Sequence, residues 1–457
     1  MRSEGSEDEA RALDAADPLA RSREQFHLPH DAQGEPKLYF AGMSLGLQPR
    51  GAQAAIEREL DAWAAHGVEG HFRPDGWLTI DERLRESMAR IVGAQPAEVA
   101  IANTLTINLH LLLTSFYRPM GDRRLLLIDG PTFPSDRYAV ESQIRQRGLD
   151  PAEALVIVKP RDGESTLRTE DVEARIDAIG PRLATVLLAG VNYATGQHHD
   201  VARLTAAAHA VGALAGWDLA HAAGNVPLSL HEAGVDFAAW CSYKYLNGGP
   251  GAIGALFVHD SHGSNPDMPR LAGWWGNDPA TRFRMEPEFV PRPGADGWRV
   301  STPPSLAIAP LYASLALFDA AGMPAIRAKS ESLTGYLEGQ IRALAGAAIE
   351  IVTPAEPAAR GAQLSLRPRG GGASATALLA RLEAAGVVAD FREPDLIRVA
   401  PIPLYTTYLD CWRFAMILAA EAALVDRVAG SNPEGRAGVS TDDGVRTLRA
   451  SARRNPA

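Results

Sequence analysis

The stretch from Trp217 to Gly251, WDLAHAAGNVPLSLHEAGVDFAAWCSYKYLNGGPG, gathers the residues most able to do chemistry. Asp218 closes an apolar run, with His221 just after it. Lys244 follows a second apolar run, inside Ser-Tyr-Lys-Tyr-Leu-Asn and ahead of several glycines. A carboxylate and an amine at neighbouring strand ends can face each other across a cleft. A partly desolvated lysine has a lowered pKa and can form a Schiff base with an aldehyde. A carboxylate opposite it can hold a pyridinium nitrogen protonated, which turns the ring into an electron sink. Pyridoxal phosphate needs this pair. Alone the pair is a weak signal, since most lysines are solvated and a histidine near a strand end more often serves as a hydrogen-bonding residue.

Four further segments supply what such a cofactor needs around it. Asn103-Thr-Leu-Thr-Ile-Asn-Leu-His110 opens a helix with hydroxyls in its first turn. A helix N-terminus with Thr104 and Thr106 suits a phosphate, because free N–H groups and the dipole favour an anion; simple N-capping fits the segment equally well. Phe133-Pro-Ser-Asp136 follows an apolar run and starts a helix, so Phe133 can stack on a heteroaromatic ring or just fill the core. Leu271-Ala-Gly-Trp-Trp-Gly-Asn277 sets two indoles in a glycine-flanked loop, and an indole N–H can donate to a phosphate oxygen. Arg392 and Arg398 flank Glu-Pro-Asp-Leu-Ile; an arginine fork matches a carboxylate with two hydrogen bonds, and each is equally suited to a surface ion pair.

These segments must be held by a frame. Arg123–Asp129, Ala154–Val158, Ala184–Ala189, Ala213–Asp218, Phe237–Cys241 and Ile253–Val258 read as strands whose near-continuous apolar character suits a parallel sheet covered on both faces. Ser135–Gly148, Thr169–Gly180 and Val201–Gly212 read as crossover helices, with Thr169 as an N-cap followed by acids. Ile308–Gly322 reads as a long helix leading out. Beyond it, short strands at Gln363–Leu366 and Leu396–Val399 mix with helices. The expectation is an α/β fold: a large domain with a mainly parallel central sheet over 61–322 and a smaller α+β C-terminal domain over 323–428. Residues 26–60 are expected to pack with the small domain, while 1–25 and 429–457 read as disordered tails. A ligand belongs at the carboxyl edge of the large sheet.

Composition narrows the function classes. The chain has 457 residues, 46% of them hydrophobic and 22% charged, which allows a large core and excludes wholesale disorder. Its formal charge of -10 argues against a general nucleic-acid binder. Two cysteines, Cys241 and Cys411, are too few for a disulfide scaffold or a structural zinc site and suit a reducing cytoplasm. The first 25 residues lack the apolar core of a secretory signal, and no segment approaches the roughly 18 apolar residues of a membrane span. No metal and no membrane partner are expected.

With these segments in view, the chain resembles the kynureninases, pyridoxal-phosphate enzymes of the aspartate-aminotransferase (type I) fold group. The resemblance runs from about Tyr39 to Leu424. It rests on Ser44–Pro49 (SLGLQP), Asn103–His110 (NTLTINLH), Phe133–Asp136 (FPSD), Trp217–Asn225 (WDLAHAAGN), Trp240–Asn247 (WCSYKYLN), Gly273–Gly276 (GWWG) and Ile397–Tyr405 (IRVAPIPLY). It implies a Schiff base of pyridoxal phosphate on Lys244, with Asp218 at the pyridine nitrogen and His221 close by. Phe133 would lie on the ring, within a loop of Pro134, Ser135 and Asp136. Leu105, Thr106, Tyr243 and Trp274 would surround the cofactor, Ala189 stands where animal forms have Ser, and Thr302 would reach in from the second subunit of a homodimer. Arg398 would bind the substrate α-carboxylate and His71 its aromatic ring, with Ser44 and Met43 nearby.

The implied reaction is hydrolysis of the Cβ–Cγ bond of L-kynurenine or 3-hydroxykynurenine to (3-hydroxy)anthranilate and L-alanine, in tryptophan catabolism and NAD biosynthesis. Tyr243 is the candidate for proton handling at the hydrated carbonyl, phosphate anchoring being its other reading. The family's Asn before Ser-Leu-Gly is Met43 here, and the residue after Gly-Trp-Trp-Gly is Asn277 instead of His. An apolar Met43 suggests a ring-substituted, for example methylated, 3-hydroxykynurenine of a secondary pathway, neutral drift at a non-contacting side chain being its other reading. Rival readings are another enzyme on the same scaffold, such as an aminotransferase or cysteine desulfurase, and a non-catalytic cofactor sensor.

Overall fold

The computed structural model describes residues 5–430. Eight strands precede the long exit helices: β1 (Leu38–Tyr39), β2 (Val99–Ile101), β3 (Leu125–Asp129), β4 (Leu155–Val158), β5 (Leu183–Ala189), β6 (Leu214–Asp218), β7 (Phe237–Trp240) and β8 (Ala255–Val258). All but β1 form one seven-stranded sheet in the order β2-β8-β7-β6-β5-β3-β4. The pairs β4/β3, β3/β5, β5/β6 and β6/β7 are parallel, and β8 is antiparallel to both β7 and β2. The parallel centre follows from strands apolar on both faces: every residue of β7, and all but one in each of β5 and β6, is buried. Helices Pro134–Gln146, Thr169–Ile179 and Val201–Ala210 make the crossovers. Thr169 begins its helix, but Arg168 is the capping position and no side chain caps it.

After Ser305–Ala321 the chain turns at Gly322, whose φ of 74° favours glycine, into Met323–Ala345. Strands β9 (Ile349–Ile351), β10 (Leu364–Pro368), β11 (Val387–Val388), β12 (Asp390–Arg392) and β13 (Leu396–Val399) follow. Four of them form an antiparallel sheet, β12-β13-β10-β9, with a core of its own that includes Leu333, Leu366, Ile397 and Phe414. No single described helix is long and apolar enough to cross a membrane.

The ends differ from the sequence reading. Within 1–25, Glu7–Ala16 is a helix with Ala10 fully buried, and Asp14 accepts from the N–H groups of Tyr408 and Leu409 at 2.7 and 3.1 Å. The acids that made this stretch look disordered, Glu7, Asp8 and Glu9, occupy the first turn behind the Ser6 cap, where the dipole favours them. Residues 26–60 divide. β1 pairs with β11 and Phe40 joins the small core, whereas Phe26, Met43 and Leu47 join the large one and Gly51–His66 packs on Ser305–Ala321. The expected C-terminal tail lies outside the described residues from 431 onward.

Candidate active site

The carboxyl ends of β3, β5 and β6 converge on a cavity of about 180 Å³. In the β5/β6 register Ala189 pairs with Asp218, so the last residue of each strand reaches the cavity together. The Asp218 carboxylate accepts from the Ala220 N–H at 2.7 Å, which fixes its orientation beside His221. Across the cavity, Lys244 follows β7; its Nζ lies 6.0 Å from the Phe133 ring centroid and 5.8 Å from that of Tyr243. Phe133 meets Tyr193 edge-on at 5.1 Å. The third wall is the start of the Leu105–Phe116 helix. Thr104 is its capping position yet makes no capping bond, so the Leu105 and Thr106 end keeps its donors for a ligand. Thr106 Oγ1 lies 2.7 Å from Ser135 Oγ, joining two hydroxyls at that end.

Electrostatics single out the same place. Burial and the neighbouring Asp218 push the Asp136 carboxyl well above its usual range. Burial, reinforced by the charges of Lys244, Arg398 and Arg392, holds the His221 imidazole well below its own. Tyr243 is pushed up by burial and stays protonated at neutral pH. Asp136 Oδ1 and His221 Nδ1 are buried without a hydrogen-bond partner in the protein. Orphaned polar atoms on a cavity wall, next to an uncapped helix end, an amine and a carboxylate, fit a polar aromatic ligand carrying a phosphate.

Of the residues expected from sequence, Leu105, Thr106, Phe133, Ser135 and Asp136 line this cavity, as do Ala189, Asp218, His221, Tyr243 and Lys244. Pro134 only starts the adjoining helix. Trp274 is 44% exposed and its indole N–H donates to the Arg282 carbonyl at 3.1 Å; Thr302 is exposed and His71 sits on the Gly67–Phe72 turn, all off the cavity. Met43 is fully buried in the large core and, like Arg398, does not itself line the cavity. The turn that bonds the Ser44 and Leu45 N–H groups to Ala41 O sends Ser44 to Arg398 and Met43 inward. Arg398 stands just behind the wall, donating to Tyr193 O at 2.7 Å and Ser44 Oγ at 3.0 Å.

Sequence reasoning missed Asp129, Asn192 and His199. Asp129 accepts from the Ala189 N–H at 3.1 Å and Asn192 Nδ2 at 3.3 Å, and His199 Nε2 is 3.9 Å away. Burial raises the Asp129 carboxyl to about 6 and lowers His199 to about 4. The signal for Asp129 was present: an acid closing an apolar strand, as Asp218 does. Asn192 and His199 lie in an irregular loop that leaves no periodic trace. Elsewhere, at the amino edge of the sheet, Glu98, His231 and His259 cluster, with Glu98 bonded to His231 at 2.9 Å.

Two kinds of likeness decide the family. Residues 326–418 match the model of the kynureninase C-terminal domain. A kynureninase of Xanthomonas euvesicatoria pv. vesicatoria is 55% identical over 413 residues, 90% of this chain and 97% of that protein. One of Xanthomonas oryzae pv. oryzae is 55% identical over 91% of this chain and 98% of its own length. This chain belongs to the kynureninase family. Its fold is shared more widely. The cystine C–S lyase C-DES, solved with glycine covalently linked to its PLP cofactor, superposes with a TM-score of 0.72 at 18% identity over 87% of this chain and 98% of that one. A Thermococcus onnurineus cysteine desulfurase gives 0.70 at 18% identity, over 86% of this chain and 95% of that one. These neighbours bear out the type I fold expected from the family resemblance. The family gives the activity class, a hydrolase of carbon–carbon bonds next to a ketone.

Proposed function

We propose that the chain hydrolyses the Cβ–Cγ bond of L-kynurenine or 3-hydroxykynurenine, giving (3-hydroxy)anthranilate and L-alanine, with pyridoxal phosphate held by Lys244. The observation that carries this reading is the convergence of Lys244, Asp218, Phe133 and an uncapped helix end on one cavity with orphaned polar atoms. Bound pyridoxal phosphate supplies an electron sink for negative charge at the carbons next to the substrate amine.

The chain's own groups do the rest. The donors at Leu105 and Thr106, with the Ser135 hydroxyl, hold the phosphate. Asp218, fixed by the Ala220 N–H, would keep a proton on the cofactor's ring nitrogen, and Phe133, on the same cavity wall, would cover the ring. Lys244 Nζ would supply the amine that holds the cofactor's aldehyde and would move protons at the substrate α-carbon. Arg398 takes the α-carboxylate. Water adds to the γ-carbonyl, and Tyr243, protonated at neutral pH, moves a proton at that oxygen as the Cβ–Cγ bond breaks. The aryl fragment leaves as the acid and Cβ is protonated, which yields alanine.

Trp274, Thr302 and His71 lie off the cavity of their own chain, and Phe283 meets Trp274 on one side and Phe72 on the other (centroids 5.4 and 6.0 Å apart) in an exposed aromatic face. A second copy covering that face accounts for both facts, so we infer a homodimer with shared sites. Buried, unpaired Cys241 and Cys411 suit a cytoplasmic enzyme, and burial raises both thiols, which speaks against a desulfurase nucleophile. The test is direct. Cofactor-loaded protein mixed with L-kynurenine should develop anthranilate fluorescence, and Lys244→Ala should abolish it; no fluorescence from loaded protein on either kynurenine or its 3-hydroxy form would refute the reading.

A further inference from the structure

We propose that Asp390 competes internally for the carboxylate seat on Arg398, and so sets how tightly substrate and alanine are held. The inference rests on the reading of Arg398 as the α-carboxylate partner. Asp390 and Arg398 are register partners across β12 and β13. Asp390 Oδ2 lies 2.9 Å from Arg398 Nη2 and 3.0 Å from Arg392 Nη2, and the Ser44 hydroxyl donates to the same oxygen. One carboxylate oxygen thus serves two guanidinium groups and a hydroxyl, while Asp390 Oδ1, Arg398 Nε and Arg392 Nε are buried without partners.

This arrangement is built for exchange. Arg398 is only 1% exposed, and its charge would be uncompensated in an empty cleft without Asp390. An arriving carboxylate finds that charge already matched and must displace Asp390 from it. Asp390 is not stranded when that happens, because Arg392 retains it. When the ligand leaves, Asp390 covers Arg398 again. The same exchange weakens the hold on substrate and product, so L-alanine departs readily.

Holoenzyme titrated with L-alanine, followed by the visible absorbance of the bound cofactor, gives the Kd. Asp390→Asn keeps the shape and removes the competing charge; Kd and KM should fall about five- to tenfold, the scale of one partly buried ion pair, with no rise in kcat. Arg392→Gln removes the alternative partner of Asp390 and should raise Kd. A purely structural Asp390 would weaken alanine binding in both variants. A raised Kd in Asp390→Asn, or a lowered one in Arg392→Gln, overturns the proposal; should Asp390→Asn fail to fold, Asp390→Ser, which also removes the competing charge, takes its place with the same two outcomes. Arg398→Lys tests the underlying reading separately: an unchanged alanine Kd there removes Arg398 from the carboxylate seat, whatever the other variants do.

Discussion

At the scale of single residues, burial decides what each group can do. Tyr243 keeps its proton through neutral pH because burial disfavours the phenolate. It can therefore serve as a donor to the γ-oxygen, or merely anchor phosphate. Tyr243→Phe separates the two roles. A proton role predicts a kcat loss of about 10²–10⁴ with cofactor affinity unchanged, the usual range for a general acid; a loss of cofactor affinity at near-normal kcat would assign anchoring instead. The Asp129–His199 contact carries a second prediction. The folded chain holds the Asp129 proton up to about 6, against 3.8 ordinarily, so this carboxyl favours folding less as pH rises through that window, by about 3 kcal/mol. His199 does the opposite. Its folded value of about 4, against 6.5, makes it resist protonation, so stability falls by about 3 kcal/mol on acidification through that range. The two nearly cancel in the parent. In urea unfolding of the cofactor-free chain, His199→Gln should gain about 2–3 kcal/mol relative to the parent between pH 7.5 and 4.5. Identical pH profiles would refute the assignment.

At the scale of elements, much of the frame was legible and the connections were not. Six strands of the large sheet and its crossover helices follow from apolar runs and helix-length spacers, because a strand buried on both faces must be apolar throughout. Short β1, β2, β9, β11 and β12 escaped: two or three residues carry no period. The carboxyl-edge position of Asp218 and Lys244 was readable as strand-end chemistry, whereas the fit of the Ser44–Pro49 turn against the lysine loop was not. Gly46 shows why that turn needs its glycine. Its N–H donates to Tyr243 O at 2.8 Å, and an added Cβ would overlap the Lys244 carbonyl and the Asn247 side chain and lie 2.8 Å from Asn247 Cα. Asn247 already holds the lysine loop in a left-handed conformation at φ 51°. Gly46→Ala should therefore push Lys244 out of register and lower kcat by about 100-fold, as a displacement of about 1 Å does, at a stability cost of about 1–3 kcal/mol for the overpacked turn. A variant with parental kcat would show that the loop yields without moving the amine.

At the scale of the molecule, the placement of Trp274, Thr302 and His71 becomes an argument about symmetry. One chain brings the amine, the carboxylate and the phosphate donors to its cavity but leaves these three outside. A two-fold partner can supply them, since an isologous interface gives each site what the other chain carries. That arrangement makes a prediction that a self-sufficient chain cannot imitate. Lys244→Ala leaves Trp274 and Thr302 intact but no amine; Trp274→Ala with Thr302→Ala leaves the amine intact but no donors for the neighbour. Mixed after dissociation and reassembly, random pairing makes half the dimers heterodimers, and each of those holds one site with every native residue and one doubly deficient site. Activity should return to about a quarter of the parental level, from two parents that are both defective. Introducing Phe72→Glu and Phe283→Glu into both parents should leave monomers in sedimentation and erase the recovery, because the charged pair removes the exposed apolar face assigned to the proposed dimer. If mixing restores nothing while heterodimers form in quantity, each chain completes its own site and the shared-site reading is wrong.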